Sequence, residues 1–115
     1  MATERTNYTF YIDRQTRDEA VELFEYLGFG INAAVSMLLS RIAHSRTIPL
    51  NLSLYIDPAI PYSSDKVKFT IVVDKFVREN AIQVSRSLSL GNTELMEHFI
   101  NECLVKQAIP FAVRK

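Results

Sequence analysis

The chain has very few cysteines, because Cys103 is the single one in 115 residues. One thiol excludes a disulfide framework within the chain, and Cys103 lacks the companion Cys and His residues of a zinc site. It lies on the apolar side of a predicted helix, which favours a small core residue over a reactive thiol. We therefore expect no metal and no cofactor.

Excess charge is also lacking, since 13 basic residues balance 13 acidic ones. The simplest sequence sign of nucleic-acid binding is a surplus of Lys and Arg that attracts phosphate, and the chain as a whole does not have it. Any basic surface must therefore be local.

Long apolar runs are absent as well. Residues 1–8 are polar and contain no hydrophobic signal core, and no run reaches the roughly 20 apolar residues that cross a membrane. With 48% hydrophobic residues, the length suits one small domain with one core. We expect a cytoplasmic protein that has no membrane partner.

The residue constellations of an enzyme are missing too. His44 and His98 stand at non-equivalent helix positions without a recurring nucleophile or carboxylate, and both are interpreted as surface residues. The glycines of residues 28–30 connect two helices, so they lack the strand-to-helix context of a nucleotide-binding loop. One group of carboxylates has the spacing of a solvated helix face: Asp18, Glu19, Glu22 and Glu25. The protein is not expected to be an enzyme.

What the sequence does contain is an internal repeat. Residues 7–13 alternate apolar and polar side chains, which predicts a strand with one apolar face that ends at Asp13. Shifted by 61 positions, the pattern returns in residues 68–74 and ends at Asp74. Each Asp is expected to cap a following helix. The same register continues through two helical patterns per copy, which predicts strand, helix, helix, twice, around a shared core.

The turn between the two helices of each copy carries its own signals. Gly28 permits a left-handed exit from the first helix, and Ser89 stands at the equivalent position. Asn32 is expected to cap the second helix of the first copy, and Asn92 or Thr93 that of the second. Both second helices are apolar almost all round, which places them at the centre of an assembly.

Residues 27–39, LGFGINAAVSMLL, with the closing Ile48-Pro49-Leu50, resemble the ribbon-helix-helix segment of RelB/DinJ-type antitoxins. The second copy keeps Ile109-Pro110-Phe111 but has Ser89 where that family has Gly. The resemblance implies a mainly α fold made of two ribbon-helix-helix units in tandem. They would form one domain, 1–115, with repeats 7–50 and 67–113 joined by linker 51–66. The two units would make an intramolecular pseudo-dimer with a two-stranded antiparallel ribbon.

In this family two chains intertwine, and their ribbon enters the major groove of DNA. The resemblance therefore implies a sequence-specific transcriptional regulator whose partner is double-stranded operator DNA. The outward ribbon residues would contact bases: Asn7, Thr9, Tyr11, Lys68, Thr70 and Val72. Phosphate would meet the backbone amides that follow Asn32 and those that follow Asn92 or Thr93.

Two departures from the family pattern keep an alternative open, a protein-interaction module that binds a toxin or is an orphan antitoxin homologue. Tyr11 and Val72 stand where family members often carry Arg, so guanine readout and phosphate attraction are weakened. Antitoxins of this type usually continue past Ile-Pro-Phe into a toxin-wrapping tail, whereas this sequence ends at Lys115.

If a toxin protein binds, we expect it at the linker, on these anchors: Leu52, Leu54, Tyr55 and Ile56. A covering strand or loop that packs on its own domain is the preferred interpretation of that segment. Arg17 and Arg78 are equivalent residues that fit either phosphate contacts or helix-surface ion pairs. A further homo-oligomer also stays open.

Overall fold

The computed structural model describes residues 4–50, 52 and 65–111. Within them the elements follow in this order: β1 (Arg5–Asp13), α1 (Arg14–Tyr26), α2 (Ile31–Ser45), β2 (Lys66–Asp74), α3 (Lys75–Ser87) and α4 (Asn92–Lys106). Four helices and a two-stranded antiparallel sheet make up this part of the chain, which confirms the predicted mainly α class.

The two strands pair along their full length, and Thr9 faces Thr70 at the centre of the ribbon. The alternating pattern of β1 and β2 puts the apolar side chains on one face, where the following are buried: Tyr8, Phe10, Ile12, Ile71 and Val73. Phe10 and Phe69 stack across the strands with ring centroids 5.4 Å apart. Burying each large apolar side chain here stabilises the fold by roughly 1.5–3 kcal/mol. This burial determines which face of the ribbon packs against the helices.

The four helices cover this inner face and share one core with it. α2 packs most extensively on α3, and α1 packs on α4. The first helix of each half is therefore covered by the second helix of the other half. α2 and α4 supply the most completely buried apolar side chains: Ala34, Val35, Leu38, Leu39, Ile42, Leu95, Met96, Phe99 and Ile100. This matches the prediction that these two helices are central.

Both first helices begin at the predicted aspartates. Asp74 is the N-cap of α3, and its side chain accepts hydrogen bonds from Phe76 N at 2.8 Å and Val77 N at 3.3 Å. Asp13 is the N-cap residue of α1 and is buried, but its side chain makes no capping hydrogen bond, so a side-chain cap is confirmed for Asp74 alone. The strand-to-helix transition thus falls at equivalent positions in the two halves.

The prediction that Asn32, and Asn92 or Thr93, cap the second helices was wrong. Gly30 and Gly91 are the N-cap residues of α2 and α4. Their extended backbone already directs the carbonyl into the helix, because Ala34 N donates to Gly30 O at 3.1 Å and Leu95 N to Gly91 O at 3.0 Å. The three polar residues therefore lie in the first turn, where their side chains are available for other contacts.

Two remaining expectations concern the linker and the membrane. Leu54, Tyr55 and Ile56 lie outside the described residues, while Leu52 is half-buried and its amide donates to Leu50 O at 3.1 Å. In the described part of the chain, no single helix is long and apolar enough to cross a bilayer. The α1–α2 pair passes that test only when taken together, with an 88° bend between them.

Candidate nucleic-acid interface

The outer face of the ribbon is polar and accessible. The structure places all six predicted base-contacting residues on it: Asn7, Thr9, Tyr11, Lys68, Thr70 and Val72. Thr9 is half-buried and the other five are exposed, with Tyr11 and Val72 retaining 49% and 54% of their surface. Alternation along a strand sends neighbouring side chains to opposite faces. Because the inner face is buried against the helices, these six residues all lie on the opposite, solvent-facing side of the ribbon.

A threonine pair marks the centre of this outer face. Thr9 Oγ1 and Thr70 Oγ1 lie 3.0 Å apart and share a hydrogen bond. The two residues are also equivalent in the internal repeat, since they are 61 positions apart. At the midpoint of the ribbon, each repeat therefore contributes the same residue, and an approximate twofold axis that relates the two strands passes through this pair.

The outer face extends further than the sequence indicated, because Arg5 and Lys66 also belong to it. Arg5 faces Asp74 and its guanidinium donates to Val72 O at 3.1 Å. Lys66 faces Asp13, and its ammonium lies 3.0 Å from Glu97 Oε1. The sequence signal for Arg5 is the two-residue period, which continues from Asn7 back to Arg5. The repeat then identifies Lys66 as the equivalent residue of β2.

This face is locally basic although the chain is neutral. The five outward pairs of the ribbon include three cations, Arg5, Lys66 and Lys68, and two aspartates at its ends. Asp13 is buried and Asp74 caps α3. Within the described residues no ion pair involves Lys68, whereas Lys66 is paired with Glu97. Arg14 at the adjoining end of α1 lies 2.8 Å from Asp65, and that contact raises the pKa of its guanidinium. Lys68 is thus the cation most available to a ligand.

The equivalent arginines of the first helices make different contacts. Arg17 pairs with Asp18 at 2.9 Å, which is the helix-surface ion pair that the sequence allowed. Arg78 Nε donates to the Asn7 backbone carbonyl at 2.7 Å. Arg78 therefore supports the ribbon through its backbone and leaves the Asn7 side chain on the outer face.

The first turn of α4 is bound to the edge of β1. Asn92 Nδ2 donates to Thr9 O at 3.1 Å, and Tyr11 N donates to Thr93 Oγ1 at 3.0 Å. These bonds use side chains, so they do not consume the backbone amides that a helix amino terminus leaves unpaired. Asn32 is exposed at the start of α2, and across the described ranges no hydrogen bond joins it to β2. The helix-to-strand bonds therefore differ between the two halves.

The titratable residues of α4 form a separate cluster. Glu102 is 2% exposed, with Lys106 Nζ at 2.8 Å and His98 Nε2 at 3.4 Å from its carboxylate. His98 is half-buried, so its interpretation as a surface residue was wrong, while His44 is exposed as predicted. Burial, reinforced by the nearby Glu102 charge, raises the pKa of the Cys103 thiol to about 12. The predicted core role of Cys103 is confirmed.

The four carboxylates of α1 are all exposed, as expected for a solvated helix face. Among the residues with a described position, no group of three or more His, Cys, Asp and Glu side chains could hold a metal ion. Comparison with family models, curated proteins and solved structures finds no match to this chain.

Proposed function

We propose that this protein is a sequence-specific DNA-binding transcriptional regulator of the cytoplasm, and not an enzyme. The observation that carries the proposal is the two-stranded antiparallel ribbon with an apolar buried face and a polar, cationic outer face. A major groove about 12 Å wide admits a two-stranded ribbon, and outward side chains then reach base edges. Operator DNA would be the partner.

The same ribbon supports a tandem ribbon-helix-helix pseudo-dimer. Strand pairing and internal repeat share the Thr9–Thr70 pair as their midpoint, so each half contributes one strand to a ribbon with approximate twofold geometry. The helices of the two halves interleave, because α2 covers α3 and α4 covers α1. The resemblance of residues 27–39 to RelB/DinJ-type antitoxins favours the same arrangement.

Bases would be contacted from the six outward residues, with Lys68 and Asn7 as the strongest hydrogen-bonding groups. Phosphate would be bound at the amino termini of α2 and α4, following Asn32 and following Asn92 or Thr93. Those termini begin at Gly30 and Gly91, whose extended backbone leaves the first amides pointing out of the helix.

A second candidate is a protein-interaction module, such as a toxin-binding antitoxin homologue without DNA readout. Tyr11 and Val72 favour it, because these large hydrophobic residues expose about half of their surface on the ribbon. Aromatic residues are enriched at protein interfaces, where charged ones are depleted. DNA binding and protein binding differ in salt dependence, since only the former releases many counterions.

The test is binding of the purified protein to duplex DNA from upstream of its own gene, at low and moderate salt. Lys68→Ala is expected to weaken binding and to lower the salt slope by roughly one counterion. Arg86→Ala is the matched control, because it removes an exposed cation from the last turn of α3, at the end away from the ribbon. A folded wild-type protein that prefers no sequence would refute the regulator and favour the protein-interaction module.

A further inference from the structure

The outward side of the ribbon has five residue pairs, and the repeat relates the pairs at one end to those at the other. At the centre, Thr9 pairs with its own repeat equivalent, Thr70. At the two outermost positions a cation faces an aspartate in both cases, Arg5 with Asp74 and Lys66 with Asp13. The two end pairs therefore have the same charge pattern, although Arg5 also binds Val72 O and Lys66 also binds Glu97.

The intermediate pairs are not alike. Asn7 faces Val72 at one end, and Tyr11 faces Lys68 at the other. In the repeat, Asn7 corresponds to Lys68 and Val72 corresponds to Tyr11. One end thus presents a carboxamide and an aliphatic group where the other presents an ammonium and a phenol. All four side chains are exposed.

Each intermediate pair matches a different base-pair chemistry in the major groove. A carboxamide such as Asn7 donates to and accepts from the adenine edge, and an aliphatic group such as Val72 contacts the thymine methyl. An ammonium such as that of Lys68 donates to the two guanine acceptors. The symmetry of a DNA site mirrors the symmetry of the protein that reads it.

We infer that this chain reads a non-palindromic duplex in one fixed orientation, with an A·T-containing half-site at the Asn7–Val72 end and a guanine-containing half-site at the Tyr11–Lys68 end. The inference rests on the proposed function and goes beyond it, because it names the class of DNA. Inverting one half-site alone should weaken binding roughly 10-fold or more, as expected for the loss of a specific base contact.

The first experiment is selection of bound duplexes from a random pool by the wild-type protein. An asymmetric site with the two half-sites above is the expected result. A palindromic site would overturn the inference and leave the regulator intact. A folded protein that enriches no site would instead refute the proposed function, so the two failures are distinguishable.

Variants of the ribbon sharpen this selection. Asn7→Lys with Val72→Tyr gives both ends the Lys–Tyr pair, and this variant should now prefer a palindrome of the guanine half-site. All substituted side chains are exposed, and a thermal melt checks that the variant folds as wild type does. An unchanged preference in a folded variant would overturn the inference.

Orientation is measured with a DNA-cleaving reagent attached at Gln15→Cys, an exposed position in the first turn of α1, next to the Lys66 end. Cys103 is buried and does not compete for the reagent. Cleavage should fall beside the guanine half-site only. With a variant in which the two pairs are exchanged, cleavage should fall beside the A·T half-site instead. Its substitutions are Asn7→Lys, Val72→Tyr, Tyr11→Val and Lys68→Asn. Equal cleavage on both sides by the unexchanged protein would overturn the fixed orientation.

Discussion

Exchanging the residue types at Gly28 and Ser89 should affect stability in opposite directions. Ser89→Gly is expected to stabilise the protein and Gly28→Ser to destabilise it. Both residues follow the first helix of their half, and both have a positive φ, 96° for Gly28 and 60° for Ser89. A side chain disfavours this backbone conformation, so the glycine is well placed in one half and missing from the other.

The hydrogen bonds show that the two turns are otherwise the same. Gly28 N donates to Glu25 O at 3.0 Å, and Phe29 N donates to Phe24 O at 2.9 Å. In the second half, Ser89 N donates to Arg86 O and Leu90 N to Ser85 O, both at 2.9 Å. Each turn is a Schellman motif, in which the left-handed residue is usually glycine.

The magnitude follows from two opposing terms. A left-handed conformation costs an L-residue about 1–2 kcal/mol, while glycine loses roughly 0.5–1 kcal/mol more backbone entropy on folding. Ser89→Gly should therefore raise the free energy of unfolding by about 0.5–1 kcal/mol. Gly28→Ser should lower it by about 1 kcal/mol. A Cβ at Gly28 would meet no heavy atom within 4 Å, so the loss would be a backbone effect and not a clash.

The assay is equilibrium unfolding in urea, with the midpoint and the slope compared among variants. Gly30→Ser is the matched control, because Gly30 lies two residues away with an ordinary φ of −85° and also has open space around it. It should be close to neutral. Equal losses for Gly28→Ser and Gly30→Ser, or destabilisation by Ser89→Gly, would refute the reasoning.

Three further predictions concern the helices. Asp74→Ala should lower the free energy of unfolding by about 1 kcal/mol, because the amides of the first α3 turn lose their acceptor. Asp74→Asn should keep most of that stability, because Asn also caps helices. Cys103 should react with a thiol reagent at pH 8 only as fast as the protein unfolds, since its pKa is raised to about 12 by burial. The unfolded thiol ionises first, so stability should be full below about pH 9 and fall by roughly 1 kcal/mol per pH unit above it. Lys106→Met should destabilise the protein by about 1 kcal/mol, because Glu102 stays buried with one partner fewer, whereas Lys106→Arg should not.

These three have separate checks. Urea unfolding tests the Asp74 series, and equal losses for the Ala and Asn variants would contradict a capping role. For the thiol, a reaction rate that exceeds the unfolding rate would show that Cys103 is accessible in the folded state. Cys103→Ala should flatten the decline between about pH 9 and pH 10. Above that range the buried Tyr8, whose pKa burial also raises, adds a decline of its own. In the Lys106 series, an unchanged loss in a Glu102→Gln background would show that the carboxylate is not the reason.

The outer face of the ribbon was predictable because a strand has a strict two-residue period. Once the apolar face of β1 is assigned to the core, Asn7 and Thr9 must point outward. The two-residue period also continues back to Arg5, but where a strand ends depends on how far the partner strand pairs with it. Arg5 belongs to the ribbon because it pairs with Asp74, which lies far along the chain. Pairing over that separation is tertiary information.

The helix starts were predicted less well, because local capping rules omit competing tertiary contacts. Asn92 and Thr93 are good capping residues in isolation. In the folded chain their side chains bind the edge of β1, and the helix begins from the Gly91 carbonyl instead. The half-burial of His98 has a similar origin, since it lies beside the buried Glu102 on the central helix α4.

The neutral charge of the chain does not argue against DNA binding, because the charges are distributed unevenly. Glu22 and Glu25 lie about 12 and 16 Å along α1 from its start beside the ribbon, at a rise of ~1.5 Å per residue. Exposed charges more than about 8–10 Å apart are largely screened at physiological salt. At the ribbon itself Arg5 and Lys66 face Asp74 and Asp13, and Lys66 is also paired with Glu97. Phosphate would therefore meet Lys68 as the most available cation. The local sign of that face, and not the total charge, is the relevant electrostatic quantity for the proposed function.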